Sequence, residues 1–481
     1  MLNIRAVLYV DGLLLLVLAA AMAVPIAVDL STGGGEWASF SISLALTGFA
    51  GLALVLSSRG SPPGSGFRGR EAFLVAVLGA VLCGVCGALP MLSGGLRLSF
   101  SDAFFESVSG ITTTGATVLT DLDLAPRAVL IWRAMLEWLG GIGILYAGTT
   151  IMPVLSIGGR DAFDGQVLAS ADSLRPRRTR AARTMVTMYA AITAALALGF
   201  KATGMSALEA TCHAMSALST GGFSTSDQSL GHFGEGARWV CILGMILGAT
   251  SFRLFLPPWR RGAILRDTQL RWFLAVIVFF SLLLAAWNWT ARGLPAGEAL
   301  RRSAFDAAAV LTTSGFHTDD YTSWGTFPGI AFFIMAFIGG CTGSTAGGVK
   351  VFRYEALFAL TGVRLRRLLR PHAVFAIAVG GRPLSSGAVR SVVSFVMLYF
   401  LCVGALGLAL SLTGLDAVTS LSGAAAAMAN LGPGLGHIIG PGGSYHDLPQ
   451  AAKWLLDFGM VLGRLELAAV LVLFTPAFWQ G

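Results

Sequence analysis

Four short stretches combine threonine, serine, asparagine and glycine in a pattern that could hold a dehydrated monovalent cation. They read Thr112-Thr113-Thr114-Gly115-Ala116, Ser219-Thr220-Gly221-Gly222-Phe223, Thr312-Thr313-Ser314-Gly315-Phe316 and Asn430-Leu431-Gly432-Pro433-Gly434-Leu435. Stripping water from such an ion requires fixed oxygen dipoles in its place, and rings of backbone carbonyls supply them. Glycine permits the backbone conformations that turn successive carbonyls inward. Threonine adds a hydroxyl oxygen at one end. Aligned, the turns give Thr113-Thr114-Gly115, Thr220-Gly221-Gly222, Thr313-Ser314-Gly315 and Asn430-Leu431-Gly432, with Pro433 and Gly434 following in the fourth. The central glycine is Gly115, Gly222, Gly315 or Gly432; Gly221 competes in the second turn and Gly434 in the fourth. A single such turn would read as a helix break needed for packing, since glycine is frequent in membrane helices. Four at equivalent places, three sharing Thr-x-Gly, read as a selectivity filter for a monovalent cation.

The elements around the turns repeat as well. Each turn follows a stretch too short to cross a membrane: Ser101 to Ile111, Ser206 to Leu218, Arg302 to Leu311 and Asp416 to Ala429. Segments of about ten to fourteen residues fit re-entrant helices. Irregular backbone at membrane depth is tolerated only where protein buries it or it lines a water-filled cavity. The pattern predicts an all-α polytopic membrane protein. Four non-identical units of span, re-entrant helix, filter loop and span surround one pore. Their expected bounds are 61–155, 156–262, 263–370 and 371–481, after a two-helix hairpin over 1–60.

Composition fits that class. Of 481 residues, 55% are hydrophobic and 12% charged, more apolar surface than a soluble domain hides. Apolar runs at Leu13–Val28, Ile42–Leu56, Phe73–Leu89, Val186–Phe200, Trp272–Trp287 and Val392–Leu412 are spans once their flanks are added. The first reads as a retained helix. A last run, Trp454 to Phe474, is long enough to span but carries Asp457, Arg464 and Glu466. The net charge of +8 does not point to nucleic acid, because its placement alternates. Basic residues gather at Arg59, Arg68 and Arg70; from Arg175 to Arg183; at Arg260, Arg261, Arg266 and Arg271; and from Arg364 to Arg370. Asp29, Glu36, Asp121, Asp123, Asp319, Asp320 and Asp447 fall in the intervening connections. This positive-inside bias, with Arg127, Arg292 and Arg302 as exceptions, puts the Arg-rich loops and both termini in the cytoplasm. Cys83, Cys86, Cys212, Cys241, Cys341 and Cys402 lie in apolar contexts and read as small buried hydrophobes.

Outside the turns, a few residues carry further readings. Gly339-Gly340-Cys341-Thr342-Gly343-Ser344-Thr345-Ala346-Gly347-Gly348 interrupts an otherwise long helix from Gly329 to Leu360. Such residues hold a helix poorly, so the segment reads as a gating plug under the filter, with a packing kink as the alternative. Arg464 sits in an apolar run, where an ionisable residue usually faces a cavity; it reads as a gating arginine or as half of an ion pair with Glu466 or Asp457. Lys350 reads equally as the end of the plug or as a lysine snorkelling to the interface. Arg133 and Glu137, four apart on one helix, could pair. His213 and His317 have no metal-ligand company and read as structural. No clustered acid–base or metal site and no nucleotide-fold motif is evident, so the reading is a transporter and not an enzyme.

The signatures Phe104-Phe105-Glu106-Ser107, Thr112 to Thr117, Glu137-Trp138-Leu139-Gly140-Gly141-Ile142-Gly143, Ser219 to Ser224, Gly339 to Lys350, Asn430 to Gly434 and Gly463-Arg464-Leu465-Glu466 together resemble the Trk/Ktr/HKT superfamily of potassium transporters. The leading hairpin makes the chain most similar to its TrkH family. The resemblance covers nearly the whole chain. It implies ten spans, a homodimer with one pore per protomer, and K⁺ in the filter. It also implies a TrkA-like cytoplasmic nucleotide-binding regulatory subunit that gates the pore. Carried over by position, the filter falls on the four turns, the intramembrane gating loop on Gly339 to Lys350, and a basic residue beside that loop on Arg464. No organic cofactor is expected in this chain. The expected function is gated K⁺ uptake across the prokaryotic cytoplasmic membrane, in contact with its lipids. The alternative is K⁺ symport with Na⁺ or H⁺.

Overall fold

The computed structural model describes residues 2–59, 69–150, 175–255 and 266–480. Most of it is helical, with one two-stranded antiparallel pair, Ala378–Val379 and Arg382–Pro383. The leading hairpin is α1 (Ile4–Ala21) continued by α2 (Ala23–Thr32), then α3 (Trp37–Ser57). Gly33 closes α2 at φ +68°, a left-handed cap that glycine takes without steric cost. Four units follow. The first is α4 (Gly69–Ser93), α5 (Phe100–Ile111) and α6 (Arg127–Thr150); the second is α7 (Arg175–Ala202), α8 (Ala207–Ser219) and α9 (Glu235–Ala249). The third is α10 (Thr268–Thr290), α11 (Ala296–Leu311), α12 (Thr326–Ala336) and α13 (Val351–Leu369); the fourth is α14 (Ser386–Ser411), α15 (Ala417–Ala429), α16 (Gln450–Arg464) and α17 (Ala468–Leu471).

Seven helical segments among the described residues are long and apolar enough to cross a membrane. The outer helices of units two to four stop short: α9 has 15 residues, α12 has 11 and α16 has 15. Each is followed by a break. Thr250 turns to extended backbone, the loop from Phe337 to Lys350 separates α12 from α13, and Leu465 to Leu467 ends α16 with Glu466 at φ +56°. The expected long helix across 329–360 is interrupted where the glycines predicted. The last apolar run, by contrast, is two helices and not one span. The third short helix also begins earlier than expected, at Ala296 and not Arg302, because Pro295 starts it and Glu298 pairs with Arg302 one turn on.

The units close on one another in order. The outer helix of each packs on the short helix of the next: α6 on α8, α9 on α11, α12 on α15, and α16 back on α5. One apolar core joins units two and three, another units one and four, and a third packs the leading hairpin under unit one. Cys83, Cys86, Cys212, Cys241 and Cys341 are buried, and Cys402 is half-buried. Arg68, Arg260 and Arg261 lie outside the described residues, and only the backbone is described for Arg175 to Arg180. Arg364, Arg366, Arg367 and Arg370 stand exposed at the far end of α13.

Candidate functional site: a closed ring of four turns

Each short helix is started and stopped by its own sequence. Ser99 Oγ accepts from Asp102 N, Ser206 and Glu209 form a reciprocal capping box, and Asp416 accepts from Val418 N and Thr419 N. At the other end all four stop in the same way. Thr113, Thr220, Thr313 and Asn430 take φ of +50°, +53°, +58° and +53°. Their amides donate three residues back, to Gly110, Ala217, Val310 and Ala427. The next amides, of Thr114, Gly221, Ser314 and Leu431, donate five residues back, to Ser109, Ser216, Ala309 and Ala426. This is a helix-terminating pattern that usually calls on glycine at the left-handed position. Three of the four residues there are β-branched threonines, which adopt it only under tertiary constraint.

Two residues later comes a glycine with positive φ in every turn: Gly115 (+81°), Gly222 (+102°), Gly315 (+76°) and Gly432 (+86°). These glycines mark a closed ring. A Cβ on Gly115 would strike the Gly221 carbonyl oxygen, one on Gly222 that of Ser314, one on Gly315 that of Leu431, and one on Gly432 would lie 2.7 Å from that of Thr114. Four carbonyls at equivalent positions therefore abut four glycines around one axis. This geometry decides the register: Gly222 and Gly432 are the counterparts of Gly115 and Gly315, and Gly221 and Gly434 are not. All four short helices also end at the ring, so the negative ends of their dipoles favour a cation there.

Beyond the ring, each short helix braces the ascending limb of its own turn. Glu106 accepts from Val118 N at 2.9 Å and Asp306 from Thr318 N at 3.1 Å. His213 Nε2 pairs with Ser224 Oγ at 3.0 Å, and Ser422 Oγ accepts from Leu435 N at 2.9 Å. His213 is thus structural, as expected. Glu106 and Asp306 were not singled out as braces. Their signal is faint but real: an acid nine residues before the central glycine in units one and three.

Two cavities flank the ring. Residues following the glycines, with Asp121 and Asp227, line one of about 290 Å³. Asn430 and the segment from Gly343 to Lys350, with Arg253 and Arg464, line one of about 40 Å³ on the other side. Arg133 also borders the larger cavity, and Lys350 and Glu466 the smaller. The loop between α12 and α13 is tied across the smaller side. Thr345 Oγ1 donates toward Leu218 O and Gly248 O (3.0 and 2.9 Å) and lies 3.3 Å from Thr220 Oγ1. Gly347 N donates to Thr313 Oγ1 at 2.7 Å and Gly348 N to Ala429 O at 3.1 Å. Arg464 Nη1 donates to Thr345 O at 2.7 Å. The loop therefore spans from unit two to units three and four directly under the ring.

A cation transport protein family model, TrkH, matches residues 49–480. The chain belongs to the TrkH family. Among curated members, the Trk system potassium uptake protein TrkI of Halomonas elongata is 40% identical over 98% of this chain and 96% of its own length. The Escherichia coli Trk system potassium uptake protein TrkH is 34% identical over 99% and 100%. The crystal structure of the potassium transporter TrkH from Vibrio parahaemolyticus covers 100% of both chains with a TM-score of 0.91 at 33% identity.

Within this TrkH-family fold, two pairings differ from expectation. Arg133 does not pair with Glu137. Its Nε lies 2.6 Å from Glu106 Oε1, both side chains being buried, and it also donates to Ser224 O and Thr117 Oγ1 at 3.1 Å. Glu137 Oε1 instead accepts from Phe223 N at 3.0 Å. Arg133 is taken mainly by its own unit, through Glu106 and Thr117, with one bond to Ser224 O of unit two, whereas Glu137 is taken by turn two. Arg464 does not pair with Glu466 either; Arg353 does, at 3.2 Å. Lys350 is 7% exposed and lines the smaller cavity, which does not match a snorkelling lysine. His317 also stays with the turns, lining the larger cavity.

Removing one member of the Arg133–Glu106 pair leaves a buried charge. Arg133→Met is expected to destabilise the fold by about 3–5 kcal/mol. Thermal unfolding in detergent checks this; an unchanged midpoint would show the pair to be dispensable.

Proposed function

We propose that this chain takes up K⁺ across the bacterial cytoplasmic membrane through a gated, K⁺-selective pore. The observation that carries the reading is the ring: four carbonyls and four positive-φ glycines alternating in closed order at the ends of four helix dipoles. Such a site replaces hydration oxygens without any fixed charge on the axis. Relatives named as potassium uptake proteins over full length support K⁺ as the ion. The loop under the ring, with Arg464 bonded to it, is the gate. The direct test is the reversal potential in proteoliposomes under opposed K⁺ and Na⁺ gradients. A potential set by the K⁺ gradient alone is expected; one that moves with an imposed Na⁺ or H⁺ gradient would make the protein a coupled symporter.

The proposed assembly is a homodimer, one pore per protomer, with both termini cytoplasmic and a nucleotide-binding regulatory subunit docked on the Arg-rich side. The exposed Arg366, Arg367 and Arg370 at the end of α13 fit an acidic face of that partner. Rim charges act mostly on association rate and its salt dependence. Neutralising the three is expected to weaken regulator binding more at low salt than at high, and to leave regulator-free K⁺ flux intact. Unchanged affinity across the salt series would leave these arginines only lipid contact, about 1 kcal/mol each near an anionic surface.

A further inference from the structure

The second turn lacks a side chain that its sisters possess. Between the left-handed residue and the central glycine stand Thr114, Ser314 and Leu431 in turns one, three and four, but Gly221 in turn two. Gly221 does not have positive φ, so its backbone conformation does not itself call for glycine. What excludes a side chain is Glu137. A Cβ on Gly221 would collide with the Glu137 carboxyl carbon and both its oxygens. Glu137 is fully buried and comes from α6 of unit one, so it reaches the turn from a neighbouring unit. Its Oε1 also fixes the amide of Phe223, the residue just beyond Gly222.

Corresponding positions on other outer helices are apolar. Gly140, Gly248 and Gly463 each pack on the carbonyl end of their own unit's short helix, against Ile111, Leu218 and Met428. Three residues before these glycines stand Glu137, Met245 and Met460. Of these three units only unit one places a carboxyl group there, facing the one turn with a glycine in the variable position.

We propose that Glu137 acts as the missing side chain of the second turn: a positioning residue that fills the volume behind Gly221, holds Phe223 N and so sets the ring's K⁺ selectivity. This rests on the filter reading above. A double-mutant cycle in proteoliposomes tests it by the K⁺/Na⁺ permeability ratio. Glu137→Ala and Gly221→Ser are each expected to lower the ratio by roughly threefold or more, one by opening a void and the other by colliding with the carboxyl group. Combined, the new serine occupies the vacated space, and the ratio is expected to return to within about twofold of the parent. Glu137→Gln keeps volume and acceptor and is expected to stay near the parent ratio, which keeps the test open should the alanine variant fail to fold. Additive losses in the double variant, or a glutamine variant as impaired as alanine, would overturn the proposal. Gly115→Ser serves as the reference. If it lowers the ratio while the Glu137 and Gly221 changes do not couple, only this inference fails; if it too leaves the ratio unchanged, the filter reading fails with it.

Discussion

Gly222→Ser is expected to cut the K⁺/Na⁺ permeability ratio by about tenfold or more. Two penalties coincide at this residue. Its φ of +102° is a conformation that L side chains rarely take, and left-handed backbone costs a non-glycine residue on the order of 1–2 kcal/mol. The new Cβ also points at the Ser314 carbonyl oxygen, a backbone atom that cannot swing away as a flexible side chain would. The ring must open between units two and three to accept it. A change of only about 1.4 kcal/mol in the difference between two ions is tenfold in preference. Gly115→Ser and Gly315→Ser meet the same obstacle at Gly221 and Leu431, and Gly315 also meets the Pro433 ring at 2.6 Å. Gly432→Ser is expected to be milder, since its Cβ lies 2.7 Å from Thr114 O. Gly434→Ala is the control. Its Cβ would press on the Ile439 side chain and approach Ser422 Oγ at 3.1 Å, but would meet no ring carbonyl, so selectivity should persist. Bi-ionic reversal potentials give the ratio for each variant. Parent-like ratios for Gly115, Gly222 and Gly315 together would remove these turns from the ion path.

Deleting Gly343 to Ala346 should raise basal K⁺ flux by about tenfold or more while selectivity is kept. The deletion removes Thr345, whose amide and hydroxyl bond to Gly248 and Leu218 and whose carbonyl accepts from Arg464. Hydrogen bonds of this kind contribute about 0.5–1.5 kcal/mol each, so losing several shifts a closed–open balance by an order of magnitude. The glycine ring itself lies above the deleted residues and keeps its own contacts. Arg464→Gln removes one of these bonds and the guanidinium charge beside the smaller cavity; it should raise flux less than the deletion does. Flux from regulator-free liposomes, with the K⁺/Na⁺ ratio measured beside it, checks both variants. Equal or lower flux in a well-folded deletion variant would show that the loop does not obstruct the path.

Local rules were enough for much of the architecture. The capping residues Ser99, Ser206 and Asp416, the apolar spans and the run from Gly339 to Gly348 each report on a few neighbouring residues, and helix starts and breaks depend on little more. The sequence by itself determined that this is an all-α membrane protein of four like units. It also located the four turns and the interruption between α12 and α13.

What it left open were choices between residues equally able to do something. Gly221 and Gly222 are both permissive; Glu137 behind the first and Ser314 O in front of the second decide which one carries the positive φ. Arg133 and Glu137 are well spaced to pair along α6, yet Glu106 of the same unit takes the arginine and the Phe223 amide of unit two takes the glutamate. The last apolar run reads as one span, but it breaks at Leu465 to Leu467, where Glu466 turns to Arg353 and Arg464 to Thr345. All of these were settled by tertiary contacts, most of them between different units. Buried polar groups must find partners wherever the fold places them, and that placement exists only once the four units have closed on one another.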